Sequence, residues 1–174
     1  MTARVYTGSM TDIKAYRYKY DGAYCTVDTF RHLLTESEAQ AHLEQMAETL
    51  KKGAIYVLGL HLLPSCGITS SVVRWKNSRG RLNVHTTMTV LDINRKKREE
   101  TLSVSLLVHS GKTTHRIRSI YKLRTYTLRQ LRLLIRRTGK FDILSTYDNL
   151  YDLNRPITPD NSTEDIIFLL RKTA

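Results

Sequence analysis

The sequence predicts an α/β domain: a doubly wound sheet, built in part, with an antiparallel β meander inserted into it. Three observations predict this. Between residues 22 and 60 an apolar run, a capped helix, a glycine and a second apolar run follow one another, the order of a strand–helix–strand unit. Residues 82–125 alternate instead, with two turn signals between them, which is an antiparallel pattern. Beyond residue 126 a second capped helix and two more apolar runs restore the first pattern.

Taken in order, Ala3–Tyr6 is short and β-like and leads into a turn at Thr7-Gly8-Ser9. Gly22–Val27, an apolar run bounded by Asp21 and Asp28, suits a buried strand of a parallel sheet. Thr35 and Glu38 form a capping box, and Ala39, Leu43, Met46, Ala47 and Leu50 repeat at helical spacing,. Lys51 and Lys52 suit the negative end of the helix dipole, and Gly53 is the expected stop,. Ala54–Leu60 is the next strand and Pro64–Ser71 a loop. Val72–Trp75 is a short apolar piece.

A three-stranded meander follows from Leu82 to Thr125, with turns at Asp92–Lys96 and Ser110–Lys112. Val84, Thr86, Met88 and Val90 share one face, as do Val104, Leu106 and Val108,. Thr127 and Gln130 make a second capping box, ahead of a Leu128, Leu131, Leu134, Ile135 stripe and Gly139. Phe141–Tyr147 and Glu164–Arg171 are the last two strands, separated by a loop that holds Pro156 and Pro159.

The 174 residues are 41% apolar and 25% charged, with three prolines and eight glycines. They suit one globular domain. The longest apolar run, Ala54–Leu63, is broken by His61 and has about half the length of a membrane helix. Cys25 and Cys66 make no disulfide framework, so a reducing, cytoplasmic setting is expected. The net charge of +12 is unusual. Residues 101–140 hold ten Lys and Arg and no Asp or Glu, which favours anionic partners. His61, His85, His109 and His115 lack ligand spacing to Cys or carboxylates, so no metal is expected.

Three stretches carry a resemblance. Asp21-Gly22-Ala23-Tyr24-Cys25-Thr26-Val27-Asp28 through Thr35 is similar to the fourth strand and following loop of class I S-adenosylmethionine-dependent methyltransferases. Leu50-Lys51-Lys52-Gly53-Ala54-Ile55-Tyr56-Val57-Leu58 resembles their L-x-P-G-G-x-x-V-L approach to the fifth strand, with Lys52 in place of the proline and Ala54 in place of the second glycine. Arg124-Thr125-Tyr126-Thr127 through Gly139-Lys140-Phe141 looks like their R-x-Y-T-x-x-E-L…G-F helix and sixth strand.

The resemblance covers nearly the whole chain and implies a partial Rossmann-like sheet. Residues 1–174 would be one truncated domain, and 64–125 an inserted β lid over the substrate pocket. It also implies a gap. The family's glycine-rich G-x-G-x-G turn has no counterpart in the sequence. Val5–Asp12 resembles the third-strand motif V-x-x-G-D-M-x-D, with Ser9 replacing the adenine-contacting Asp. In a family sheet ordered 3-2-1-4-5-7-6, the edge of Gly22–Val27 would then be unpaired. Arg4–Tyr6 is expected either to dock on that edge or to stay loosely held.

Methyl transfer from a sulfonium needs positioning more than a special catalytic group. The resemblance implies S-adenosylmethionine as cofactor, with Ser9 and Met10 at adenine. Thr26 and Asp28 are further cofactor candidates, at the end of a parallel strand where such sheets bind ligands. Substrate candidates are His32, Trp75, Arg124 and Tyr126. The acceptor is a small molecule or a nucleic acid. Two other functions fit the sequence: a nucleic-acid-binding module using the basic face, and a non-catalytic subunit that forms a homo- or hetero-oligomer through the exposed edge.

Overall fold

The structure is a computed structural model and describes residue 5 and residues 7–13, 18–64 and 71–173. Arg4, Tyr6 and Cys66 lie outside the described residues, so the expected docking of Arg4–Tyr6 does too. The chain divides into two compact units, residues 1–66 with 126–174, and residues 67–125.

The first unit holds β1 (Tyr20–Cys25), a 3₁₀ turn (Thr29–His32), α1 (Glu36–Thr49) and β2 (Leu50–His61). The second holds β3 (Val72–Arg79), β4 (Leu82–Asn94), β5 (Glu99–Ser110) and β6 (Thr113–Arg124). The chain then returns to the first unit with α2 (Leu128–Thr138), β7 (Phe141–Tyr147) and β8 (Asp165–Lys172).

The sheet of the first unit has the order β1-β2-β8-β7. β1 and β2 run parallel, and β8 is antiparallel to both of its neighbours. This is the 4-5-7-6 half of the expected series. Among the described residues β1 pairs with β2 alone, and Tyr24 is 81% exposed. The chain leaves and re-enters this unit at adjacent points, because the Leu63 amide donates to the Tyr126 carbonyl at 2.8 Å.

Both helices start as their sequences dictate. The Glu38 amide donates to Thr35 Oγ1 at 3.1 Å while Glu38 Oε2 accepts from the Thr35 amide at 2.8 Å. Thr127 and Gln130 repeat the exchange. Each box satisfies two amides that the helix leaves without partners. Gly139 caps α2 at φ 60°. The buried stripes meet β2 and β8 in one core, through which Phe30, His42, Tyr56 and Phe141 form a chain of ring contacts.

Gly53 does not stop α1. The helix ends at Thr49, and its cap, Leu50, is already extended. Gly53, at φ 78°, lies inside β2 where the register jumps from Tyr20↔Leu50 to Gly22↔Ile55. A bulge of this kind needs the left-handed backbone that glycine permits. Lys51 pairs on the surface with Asp21. Buried Lys172, from β8, donates to the Leu50 carbonyl at 2.8 Å and supplies the cation at the end of α1,.

The second unit is a four-stranded sheet, β3-β4-β5-β6, not the expected three-stranded one. The short apolar piece at Val72 continues to Arg79 as a full strand, all of it exposed. Its polar second half hid it from pattern reading. Two-residue loops led by Gly80 (φ 59°) and Gly111 (φ 58°) close two of the hairpins,. The third turn falls at residues 95–98, later than expected. Asn94 Oδ1 accepts from the Lys97 amide at 2.8 Å, and Arg98 takes φ 59°. No described helix is long and apolar enough to cross a membrane.

Candidate functional site

At the carboxyl ends of β1 and β2, beside the start of β8, lies a cavity of about 190 Å³ lined by Asp28, Gly59, His61, Asn149, Tyr151 and Asp165, with Val27 and apolar residues completing the wall. Ligands enter doubly wound sheets at such strand ends. Sheet topology builds the site. Gly59 sits where an added Cβ would meet Ile167 and Thr26 side chains at 3.4 Å, so it keeps the floor low.

The wall is strained. Val27 (φ 55°), Asp28 (φ 61°) and Tyr151 (φ 57°) are three of the four described non-glycine residues with positive φ. A β-branched residue such as Val27 adopts that region at real cost. Strain of this kind concentrates at ligand sites.

Polar groups hold the cavity in shape. His61 Nδ1 donates to Asp165 Oδ1 at 3.1 Å, and Asn149 Nδ2 donates to Asp165 Oδ2 at 3.2 Å. The bond to Asp165 holds the His61 imidazole above its ordinary value, against the opposite pull of burial. The same bond holds Asp165 below its usual range. With Nδ1 committed, Nε2 is the ring atom left to meet a ligand. Asp28 Oδ1 accepts from the His61 amide at 2.8 Å and pairs with buried Arg31 at 3.2 Å.

Asp28 alone among the sequence candidates lines the cavity. Thr26 stands at the same strand end, two residues before Asp28, with its side chain against Gly59 and its carbonyl accepting from the Thr29 amide and hydroxyl. Ser9 is exposed, in a turn closed by the Asp12 amide, and bonds Thr11. Met10 packs on the core, and its carbonyl accepts from His42 Nδ1 at 2.9 Å. His32 is exposed at the end of the 3₁₀ turn. Tyr126 is fully buried, with its ring centroid 5.8 Å from that of Phe30. Trp75 lies on β3 and Arg124 is buried at the end of β6, both in the second unit.

Sequence reasoning passed over His61, Asn149, Tyr151 and Asp165. The one signal was His61 itself, a polar residue closing an apolar strand.

These residues fit part of an S-adenosylmethionine site. The strand end at Thr26–Asp28 and the cavity beside it suit a ligand's reactive end. Asp28 Oδ1 is engaged by the His61 amide and by Arg31. A glycine-rich turn has no counterpart in this sequence.

The architecture is the class I methyltransferase fold in part, and solved structures bear this out. The chain matches an S-adenosylmethionine-dependent methyltransferase from Clostridium acetobutylicum at a TM-score of 0.73 and 13% identity, over 100% of this chain and 66% of that one. It matches the amino pentose methyltransferase CalS10 from Micromonospora echinaspora at 0.69 and 15%, over 94% and 63%. It matches the sugar N-methyltransferase KedS8 from a Streptoalloteichus species at 0.70 and 11%, over 96% and 61%. The chain therefore spans less than two thirds of the length of each. No protein-family model matches it, and no curated protein matches it in sequence.

Proposed function

We propose that this chain is the acceptor-side part of an S-adenosylmethionine-dependent methyltransferase acting on an N–H or O–H group of a small molecule. The observation that carries the reading is the β1-β2-β8-β7 order, with a strained, polar cavity at its carboxyl edge. The neighbours named for amino pentose and sugar N-methylation support a small-molecule acceptor. The cofactor would supply an electrophilic methyl group when bound. The Thr26–Asp28 strand end would hold its reactive end, with Ser9 and Met10 as further contacts.

Within this reading, His61 Nε2 takes the acceptor's proton, and Asp165 fixes the tautomer and favours the imidazolium that forms. The edge of β1 that has no pairing strand among the described residues suits an added strand from a partner or a second copy,. The cysteine content supports a reducing, cytoplasmic setting,.

The test is a titration with S-adenosylhomocysteine, followed by calorimetry and by amide resonances. Saturable binding that shifts the Thr26–Asp28 and His61 resonances is expected. A folded chain whose shifts fall elsewhere would overturn the site. In an active preparation, rate should rise with pH through the raised His61 value. Asp165→Asn should move that rise to lower pH and slow the reaction about 10- to 100-fold.

A further inference from the structure

The sheet of the second unit has two chemically different faces. Directly paired residues on antiparallel strands point to the same side. One face collects Val73, Trp75, Val84, Met88, Val104 and Leu106. The other collects Arg74, Thr87, Ser105 and Arg118 in one cross-strand row, and Lys76, His85, Leu107 and Arg116 in the next.

Side-chain bonds confirm the second face. Arg118 Nε donates to Ser103 Oγ at 3.0 Å, and His109 Nδ1 meets Thr114 Oγ1 at 3.0 Å. The His85 and His109 rings stand edge to face at 5.7 Å.

The charge of this unit is one-sided. It holds thirteen Lys and Arg against three acids, and so carries ten of the chain's twelve net positive charges. β3 and β6 contain no Asp or Glu, nor does β4 before Asp92 or β5 after Glu100. Asp92 and Glu99 stand only at the far end, where Glu99 is taken by Lys122 at 2.8 Å. Arg74, Lys76, Arg116 and Arg118 are exposed. They form two cationic ridges on the outer strands, about 14 Å apart across four strands, over a floor of Thr87, Ser105, His85 and Leu107.

We infer that this face binds a nucleic acid through its phosphate backbone, without sequence preference. Separated cations with hydroxyl and imidazole donors between them match a row of phosphate oxygens. A membrane-binding face would couple its cations to a run of exposed apolar groups; here the cationic face carries Val72 and Ile120 at its two outer strands, while Val73, Trp75 and Ile117 lie on the opposite face. The inference does not rest on methyl transfer, and its test is independent of the cofactor.

The experiment is fluorescence anisotropy of the full chain with a labelled 20-nucleotide single-stranded RNA and a 20-base-pair DNA duplex, from 50 to 200 mM salt. Arg74→Gln/Lys76→Gln/Arg116→Gln should weaken binding at least tenfold. It should also lower the slope of log K against log salt by about 2 to 3. The matched control, Arg129→Gln/Arg132→Gln/Arg136→Gln on the exposed groove of α2, should leave affinity within about threefold. Far-UV dichroism of both variants checks folding. A loss that follows the α2 variant instead would overturn the inference. So would equal competition by polyglutamate, or tighter binding to phosphatidylserine vesicles than to either oligonucleotide.

Discussion

His42 shows at the scale of one residue how the core fixes a loop. Its Nδ1 donates to the Met10 carbonyl, and its Nε2 accepts from Tyr56 Oη at 2.8 Å. Burial pushes the imidazole below its ordinary value, so it is held neutral. Burial likewise pushes Tyr56 well up, so it keeps the proton it donates. The folded value of His42 lies below the unfolded value near 6.5. Its stabilisation is therefore complete above that pH and lost as pH falls through the folded value. His61 runs the other way: its raised value gives stability below about pH 6.5 that is lost as pH rises through the folded value,. Urea unfolding at pH 7.5 and 5.0 should show an acid-side loss that His42→Leu removes. His42→Leu alone should cost about 2–3 kcal/mol, by leaving the Tyr56 hydroxyl and a carbonyl without their partner. Adding Tyr56→Phe should cost less than the sum of the two single changes.

The elements differ in how readily they could be read from the sequence, and the reason is the range of the forces that define them. α1 and α2 were legible because a capping box is a four-residue device. Thr127→Ala should cost about 1 kcal/mol. Lys172→Met should cost about 2 kcal/mol, since it removes a buried charged donor from Leu50, whereas Lys51→Met on the surface should cost close to nothing. Thermal melts of the three variants would order them. β3 was half hidden because both of its faces are exposed, so nothing imposes alternation. The turn at residues 95–98 contains no glycine or proline to announce it. The cavity was least legible. Asp28 meets His61, and His61 meets Asp165, across 33 and 104 residues, and only strand order brings such positions together.

For the whole molecule, the two units invite separation. Leu63 and Tyr126 are joined by a backbone hydrogen bond, so a short Gly-Ser linker from Pro64 to Tyr126 spans the gap left when residues 65–125 are removed. The excised chain should keep α1, α2 and the β1-β2-β8-β7 sheet and should unfold cooperatively, because among the described residues its core is built from the first unit. Loss of a sigmoidal melt would show that the first unit depends on the second. Excision should also lower the net charge to about +2 and abolish the salt-dependent anion binding attributed to the second unit.

The hydrogen bond between Leu63 and Tyr126 also has a kinetic meaning. Ile55 must find Arg171 to register β2 on β8, while every strand of the second unit needs only its sequence neighbour. Local pairing is fast and distant pairing slow. A meander that forms first shortens the loop closed between Leu63 and Tyr126 from about sixty residues to roughly ten, which lowers the cost of that closure by about 1.5 kcal/mol. The insert thus acts as a folded splint for the domain that it interrupts. Trp75, the only tryptophan, should reach its final fluorescence before the β8 amides gain exchange protection. Gly111→Val, which strains the last hairpin turn, should delay both.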